Sequence, residues 1–383
     1  MKKCLSVLLF FSLVGCLLFA GGSPEEKEVN YLRLSWDELV EEAKKEASLT
    51  FVHWRGESFW GDAATSFEQK YGIKVTIETG NPDGLVTKML GEKDEESGSF
   101  DVMLVGDGMV RSSIEAGAFY GPIAERIPHG DKVDPKLLKV QAGAKTNGFL
   151  IPVYRSQMGL LYDPQKVENP PQTWFELIEW IGENPPGQFA FSNPQQGNSG
   201  QAIIQAALAN LSGGLDRYTG DTSVQSSKVE NWKEAWQVLK DNREMVSVTS
   251  SDELAIGKLS RGEAAIAVAS DIETRKALQS GSLSGNVKLY VPKMGLPFSG
   301  DTLGVLKNAE NKAAAILFIA YLTETDVQKE MGDKTGISLA RTDVQATRAV
   351  LKEEERKRYG VPWMPVAYRK RFTEEFVNAV LSP

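Results

Sequence analysis

The amino-acid sequence predicts an α/β protein of two domains, and three observations carry this prediction. Apolar segments of strand length alternate with segments whose apolar residues recur at helical spacing, a pattern typical of parallel sheets joined by helical crossovers. Strands such as 100–105 (FDVMLV) are almost wholly apolar, which indicates sheets covered on both faces. The chain has 383 residues, of which 42% are hydrophobic, enough for two cores of ordinary size.

The predicted elements of the first half alternate regularly. A capping box formed by Ser35 and Glu38 starts the first helix. We then predict strands at 48–54, 73–79 and 100–105, with helices around 60–71, 85–90 and 109–116.

The second half repeats this pattern less regularly. Two strands at 149–154 and 159–162 are separated by the polar residues Arg155-Ser156-Gln157, and a second capping box at Thr173 and Glu176 starts a helix. Further strands are predicted at 189–192, 264–269, 287–291 and 302–306, and further helices at 201–211, 232–239 and 312–322. From about Arg341 onward we predict mainly helix.

Composition excludes several classes of function. The 43 basic and 51 acidic residues give a net charge of −8, which argues against nucleic acid as a partner. Both cysteines, Cys4 and Cys16, lie near the N-terminus, and the chain has only two histidines. We find no phosphate loop, no nucleophile elbow and no third glycine after Gly106-Asp107-Gly108. We therefore predict no enzymatic activity, no cofactor and no metal site.

The N-terminal residues predict export. Lys2 and Lys3 precede an apolar run, and Leu13-Val14-Gly15-Cys16 resembles the bacterial lipobox. On this hypothesis residues 1–15 are a lipoprotein signal peptide, Cys16 is acylated, and residues 16–30 tether the protein to a bacterial membrane, in the periplasm or at the cell surface. The alternative is an ordinary signal peptide cleaved near Ala20-Gly21-Gly22.

Candidate ligand-binding residues gather where strands end. In open α/β sheets, ligands bind beyond the carboxyl ends of the strands. The residues with aromatic faces, single charges or small polar groups at or near these ends are Trp54, Arg55, Glu57, Trp60, Asp107, Tyr154, Arg155, Gln157, Ser192, Asn193, Asp271 and Asp301. Such a set suits a small polar or charged solute. The alternative is that some of these residues only cap helices or form turns.

The charge of the solute stays open at this point. The aromatic rings of Trp54, Trp60, Tyr154 and Phe298, together with nearby acids, favour a thiamine-like or polyamine-like cation. Arg55 and Arg155 favour a zwitterion or an anion, because a guanidinium pairs with carboxylates and phosphates.

Several segments resemble the periplasmic solute-binding proteins of ABC importers. They are residues 148–154 (GFLIPVY) with 158–163 (MGLLYD), 170–177 (PPQTWFEL), 262–267 (GEAAIA) and the helix pair within 308–328. The chain is similar in particular to the little-characterised Ynj-type importer component, a relative of thiamine, polyamine and iron binders, at 98–102, 119–125, 155–157 and 184–189. Where that group tends to have Trp-Gly-Gly, this chain has Trp54-Arg55-Gly56.

The resemblance implies a two-lobe periplasmic-binding-protein type II fold, in which each lobe is a mainly parallel sheet flanked by helices. Lobe 1 would comprise residues 31–155 plus 271–325, and lobe 2 residues 156–270 plus 326–383. Hinges are expected near Arg155-Ser156 and Ala269-Ser270. The protein would close on its solute as a monomer and then dock on an ABC permease. An exported enzyme, or a surface interaction lipoprotein on the same scaffold, is the alternative.

Overall fold

The computed structural model describes residues 29–54, 59–347 and 349–381. The predicted signal peptide, the predicted acylation site Cys16 and the candidate residues Arg55 and Glu57 lie outside the described residues. The helices are α1 (Trp36–Glu46), α2 (Phe59–Tyr71), α3 (Pro82–Glu92), α4 (Asp107–Glu115), α5 (Trp174–Glu183), α6 (Asn198–Leu211), α7 (Ser226–Val229), α8 (Trp232–Asp241), α9 (Asp252–Ser260), α10 (Asp271–Gln279), α11 (Lys312–Leu322), α12 (Thr325–Thr335), α13 (Glu353–Tyr359) and α14 (Val366–Phe376).

The strands occupy the stretches between these helices. They are β1 (Ser48–His53), β2 (Lys74–Thr79), β3 (Val102–Val105), β4 (Val140–Gln141), β5 (Ala144–Lys145), β6 (Ile151–Pro152), β7 (Tyr154–Tyr162), β8 (Phe189–Ser192), β9 (Val246–Thr249), β10 (Ile266–Ser270), β11 (Lys288–Tyr290), β12 (Leu296–Ser299), β13 (Thr302–Val305), β14 (Ser338–Leu339) and β15 (Gly360–Pro362). The predicted α/β class is confirmed.

Capping boxes explain where several helices begin. The two predicted from sequence, Ser35 with Glu38 and Thr173 with Glu176, are both formed and start α1 and α5. A third, which we did not predict, starts α10: the Ser270 side chain accepts from the backbone N–H of Glu273, whose carboxylate accepts from Ser270 in return. Each box satisfies donors that a helix start would otherwise leave unpaired.

The first sheet has five strands in the order β2-β1-β3-β13-β6. Strand β1 pairs in parallel with β2 along its whole length, from Ser48 opposite Lys74 to His53 opposite Thr79, and also with β3. Strand β13 runs antiparallel to both of its neighbours. The sheet is therefore mixed, with its parallel half carrying the carboxyl ends of β1 and β3 to one edge.

The second sheet follows the order β15-β12-β7-β10-β8-β9, and β11 and β14 also pair with β7. The pairs β10–β8, β8–β9 and β12–β15 are parallel. Every pairing that β7 makes is antiparallel. This sheet is mixed as well, because β7 runs against the direction of its neighbours.

Strand β7 is continuous, which corrects the predicted interruption at Arg155-Ser156-Gln157. Arg155 pairs with Ser338 of β14, while Ser156 and Gln157 pair with Ser299 and Phe298 of β12. Because these neighbours complete the backbone hydrogen bonds, the polar side chains do not end the strand.

Two hydrophobic clusters correspond to the two lobes, and the chain passes between them three times. The passages lie between Tyr154 and Met158, between Leu296 and Leu303, and between Ile337 and Leu351. The type II fold inferred from resemblance thus has one core in each lobe.

The segments are shared out differently from the predicted lobes. Residues 283–296 pack in the second cluster, because β11 and β12 pair with β7. Val327, Met331 and Ile337 pack in the first cluster, because α12 lies against α2 and α11. The expected hinge at Ala269-Ser270 falls inside the second sheet, where β10 pairs with β7 and β8.

In the part of the chain that the structure describes, no helix has both the length and the apolar character needed to cross a membrane. Over the same residues, no group of three or more His, Cys, Asp or Glu side chains is placed to hold a metal ion.

Candidate functional site

A cavity of about 580 Å³ lies between the two lobes. The first lobe contributes the end of β1, α3, the start of α4 and the turn before β13. The second lobe contributes the end of β12, the start of α6 and the first half of α14. The lining residues are Trp54, Pro82, Asp83, Val86, Thr87, Gly106, Asp107, Gly108, Met109, Ser112, Asn198, Ser299, Asp301 and Arg369. Its size and its position between lobes are typical of a small-molecule site.

An indole ring forms part of the first-lobe wall. Trp54 directly follows β1 and packs against the first hydrophobic cluster. The residue beside the ring is Gly106, where a Cβ atom would lie 2.7 Å from Trp54 Cζ2. Glycine at this position therefore lets the indole lie close against the backbone at the start of α4, where it lines the cavity.

Three carboxylates line the same side of the cavity. Asp107 is the first residue of α4, and its Oδ1 lies 3.4 Å from Gln141 Nε2. Gln141 is itself fixed by donating to the Gly300 carbonyl and accepting from the Thr302 hydroxyl, at 2.8 and 3.0 Å. Gln141 thus holds the Asp107 side chain at the cavity wall.

Asp301 is the more deeply placed of these acids. It lies in the turn between β12 and β13, it is buried, and one carboxylate oxygen accepts the hydroxyl of Tyr154. Asp83 lies in the first turn of α3 and is exposed. The first-lobe wall therefore carries acidic groups from the rim to the floor of the cavity.

Within the part of the chain that the structure describes, the second-lobe wall carries one cation, Arg369 of α14. Its guanidinium stands 5.1 Å above the ring of Trp363, and its Nη2 lies 3.9 Å from Asp107 Oδ2 across the cavity. Burial lowers the pKa of Arg369, with Asp107 opposing this effect.

Asn198 completes the second-lobe wall at the start of α6. The Asp252 carboxylate accepts from the backbone N–H groups of Asn198 and Ser199, at 2.9 and 3.0 Å. This helix start is therefore already capped by an acid, and the side chain of Asn198 lines the cavity.

Three of the predicted ligand-binding residues, Trp54, Asp107 and Asp301, come together in this cavity. They lie far apart in sequence and meet because the ends of β1 and β3 and the turn before β13 share one edge of the first sheet. The three residues follow the strand-end rule used for their prediction.

Four other aromatic or charged candidates, Trp60, Tyr154, Arg155 and Phe298, do not line the cavity. Trp60 is buried in the first core, with its ring centroid 5.3 Å from that of Phe51. Tyr154 is buried behind Asp301, and Phe298 is buried too. Arg155 is also buried, in an ion-pair network with Asp134 and Glu353 at the lobe junction. These positions correct the expectation that their rings and charges face the solute.

The remaining candidates also make internal contacts instead. Gln157 donates from Nε2 to the Leu296 carbonyl at 2.9 Å, and its backbone N–H donates to Asp271. Asp271 pairs with Arg356, which is also buried. Ser192 bonds to Ser199 beneath the start of α6, and Asn193 accepts from the N–H of Gln195 in a turn. The alternative, that such residues only cap helices or form turns, applies to Ser192 and Asn193, whereas Gln157 and Asp271 belong to buried polar contacts.

Sequence analysis missed Asp83, Asn198 and Arg369. The first two belong to helix starts, where an acid or an amide is ordinarily explained by capping. Arg369 lies in a helix more than 60 residues beyond the last predicted strand-end candidate. A search of helix starts as well as strand ends would have found the first two.

The fold and the cavity together define a two-lobe, type II binding protein. The sequence profile of the bacterial extracellular solute-binding protein family matches residues 62–358. The chain belongs to this family.

Individual relatives are distant but cover most of the chain. The putrescine-binding periplasmic protein PotF of Escherichia coli is 24% identical over 71% of this chain and 72% of its own length. SpuD of Pseudomonas aeruginosa, also a putrescine-binding periplasmic protein, is 22% identical over 83% of this chain and 88% of its own length. Among solved structures, the spermidine/putrescine ABC transporter substrate-binding protein PotD of Streptococcus pneumoniae has a TM-score of 0.65 at 17% identity. The match covers 87% of this chain and 97% of the PotD chain.

Proposed function

We propose that this protein is the receptor of an ABC importer and that it captures an organic ammonium solute of the polyamine type between its lobes. The observation that carries the proposal is the set of three carboxylates, Asp83, Asp107 and Asp301, on one wall of the cavity. Carboxylates bind ammonium groups well, because an ionised carboxylate acts only as a hydrogen-bond acceptor and an ammonium group acts only as a donor.

The indole of Trp54 supports the same solute class. An aromatic face attracts a cation and also covers the methylene chain of an aliphatic amine. The two putrescine-binding relatives agree with this chemistry. The other aromatic candidates lie in the cores, so the described cavity offers one aromatic face, which favours an aliphatic amine over a thiamine-like cation.

Solute capture would work by closure of the lobes. We place lobe 1 around the first hydrophobic cluster and lobe 2 around the second, with the hinge at the three chain passages near residues 155, 300 and 340. A solute that touches both walls favours the closed form, because only that form makes all the contacts. The closed form would then deliver the solute to its permease.

Putrescine and spermidine are expected to raise the unfolding temperature of the purified protein. A ligand at 100 times its dissociation constant adds about 2.7 kcal/mol to the free energy of unfolding. Differential scanning fluorimetry measures the shift, and isothermal titration calorimetry gives the dissociation constant. The matched control is 1,4-butanediol, which has the same chain but no charge. The proposal fails if neither amine shifts the midpoint more than the diol does.

We also propose that Cys16 is acylated and anchors the receptor to a membrane. The support is the lipobox-like Leu13-Val14-Gly15-Cys16 of the sequence. In cells, the Cys16→Ala protein should lose incorporation of labelled palmitate and leave the membrane fraction, while Cys4→Ala should behave as wild type. Palmitate incorporation that survives Cys16→Ala would contradict the anchor.

A further inference from the structure

Arg369 has an unusual environment for an arginine. Its side chain is only 14% exposed, it lines the cavity between the lobes, and its Nε atom is buried. Among the described residues, none accepts a hydrogen bond from this guanidinium, since the nearest carboxylate oxygen, Asp107 Oδ2, is 3.9 Å away. A guanidinium has five N–H donors, and burying them without acceptors is unfavourable.

Asp107 does not complete the pairing. A separation of 3.9 Å exceeds hydrogen-bond length, and the other oxygen of Asp107 faces Gln141. The guanidinium is positioned instead by stacking at 5.1 Å over Trp363, itself buried in the second core. Stacking uses the face of the guanidinium and leaves the N–H groups at its edge available.

The two walls of the cavity therefore differ in charge. Counting the residues that the structure describes, the first-lobe wall holds three carboxylates, and the second-lobe wall holds one guanidinium with the neutral polar residues Asn198 and Ser299. A diamine without a carboxylate can pair with the carboxylates of the first-lobe wall, but its second ammonium group brings a positive charge toward Arg369. A solute with a carboxylate supplies the acceptors that Arg369 lacks, in a geometry that a guanidinium binds with two hydrogen bonds.

We propose that the solute carries a carboxylate in addition to its ammonium groups, and that Arg369 binds this carboxylate. The inference rests on the proposed function, because it takes the same cavity as the site of an amine. It narrows the solute class from amines to amino-carboxylates, and it makes Arg369 a specificity-determining residue.

Ornithine and putrescine form a matched pair of probes, since putrescine is ornithine without its carboxylate. Isothermal titration calorimetry with wild-type protein should show ornithine binding about tenfold more tightly than putrescine. In Arg369→Gln this preference should disappear through weaker ornithine binding, while putrescine binding is unchanged or tighter. Arg369→Lys, which keeps the charge but cannot form the bidentate hydrogen bonds of a guanidinium, should retain part of the preference for ornithine.

Lys370→Gln is the control for these variants, because Lys370 is the exposed neighbour on α14 and its loss removes the same charge. It should leave both dissociation constants unchanged. If putrescine binds wild type as tightly as ornithine, or if the ratio survives in Arg369→Gln, the carboxylate inference is overturned and the amine receptor stands. If neither compound binds, both proposals fall.

Discussion

Arg155→Met is expected to lower the free energy of unfolding by about 3–5 kcal/mol, the usual cost of removing one partner from a buried ion pair. Arg155 is 2% exposed and donates to Asp134, to both oxygens of Glu353, and to the backbone carbonyls of Leu339 and Arg341. Burial alone would lower the pKa of Arg155, but Glu353 and Asp134 raise it above its ordinary value. Methionine fills similar space, removes the cation that pairs with Asp134, and leaves Glu353 only the more distant Arg356, whose Nε lies 3.7 Å from Glu353 Oε2.

Urea denaturation followed by tryptophan fluorescence measures this loss. Arg261→Met is the matched control, because Arg261 pairs with Glu263 at the surface with both side chains about half exposed. Exposed pairs contribute about 0–1 kcal/mol, so this control should change little. Adding Glu353→Gln to Arg155→Met should recover part of the stability by removing one buried carboxylate that has lost its nearer cation. A loss below about 1 kcal/mol for Arg155→Met would show that the network does not hold the lobe junction together.

The same residue shows why sequence analysis placed some candidates wrongly. Arg155, Gln157 and Asp271 have the residue types of a binding site, but their partners come from segments up to about 200 residues away. A polar residue beside a strand end can face a solute or a buried partner equally well. Only the three-dimensional arrangement of β7, β12 and β14 decides between these outcomes.

The strand-end rule brings candidate residues together where its geometric condition holds. In the first sheet, β1 and β3 run parallel and end at the cavity, so Trp54 and Asp107 are brought together by topology alone. In the second-lobe wall, β12 contributes Ser299 and the helices α6 and α14 contribute Asn198 and Arg369, and no strand end points to Arg369. Helix faces carry no comparable signal, because an arginine at helical spacing is ordinarily a solvated residue.

Fold class was predictable because it depends on local patterns. Almost wholly apolar strands and capping boxes identify elements without knowledge of their partners, and α1, α5 and β3 begin within two residues of their predicted starts. Lobe boundaries depend on which core an element packs against. The apolar pattern of α12 is compatible with packing against either core. Its packing on α2 and α11 is visible only in the three-dimensional structure.

Asp301→Asn is expected to weaken putrescine binding about 10- to 100-fold. A hydrogen bond to a charged group contributes about 1.5–3 kcal/mol, which corresponds to this range of dissociation constants. Asp301 is the most buried of the three cavity acids, so water screens its charge least. Asparagine keeps the shape and one oxygen for the Tyr154 hydroxyl, so the change removes the charge with little effect on packing.

Three comparisons by isothermal titration calorimetry isolate that charge. Asp83→Asn, at the exposed rim, should cost less than about fivefold, because solvent screens it. Asp241→Asn removes the same charge from the exposed end of α8, outside the cavity, and should leave binding unchanged. Tyr154→Phe removes the hydroxyl that donates to Asp301 but keeps the Asp301 carboxylate. It should therefore weaken putrescine binding less than Asp301→Asn does. If Asp301→Asn costs less than threefold while Asp83→Asn costs more, the ammonium group binds at the rim, and the floor of the cavity is not its site.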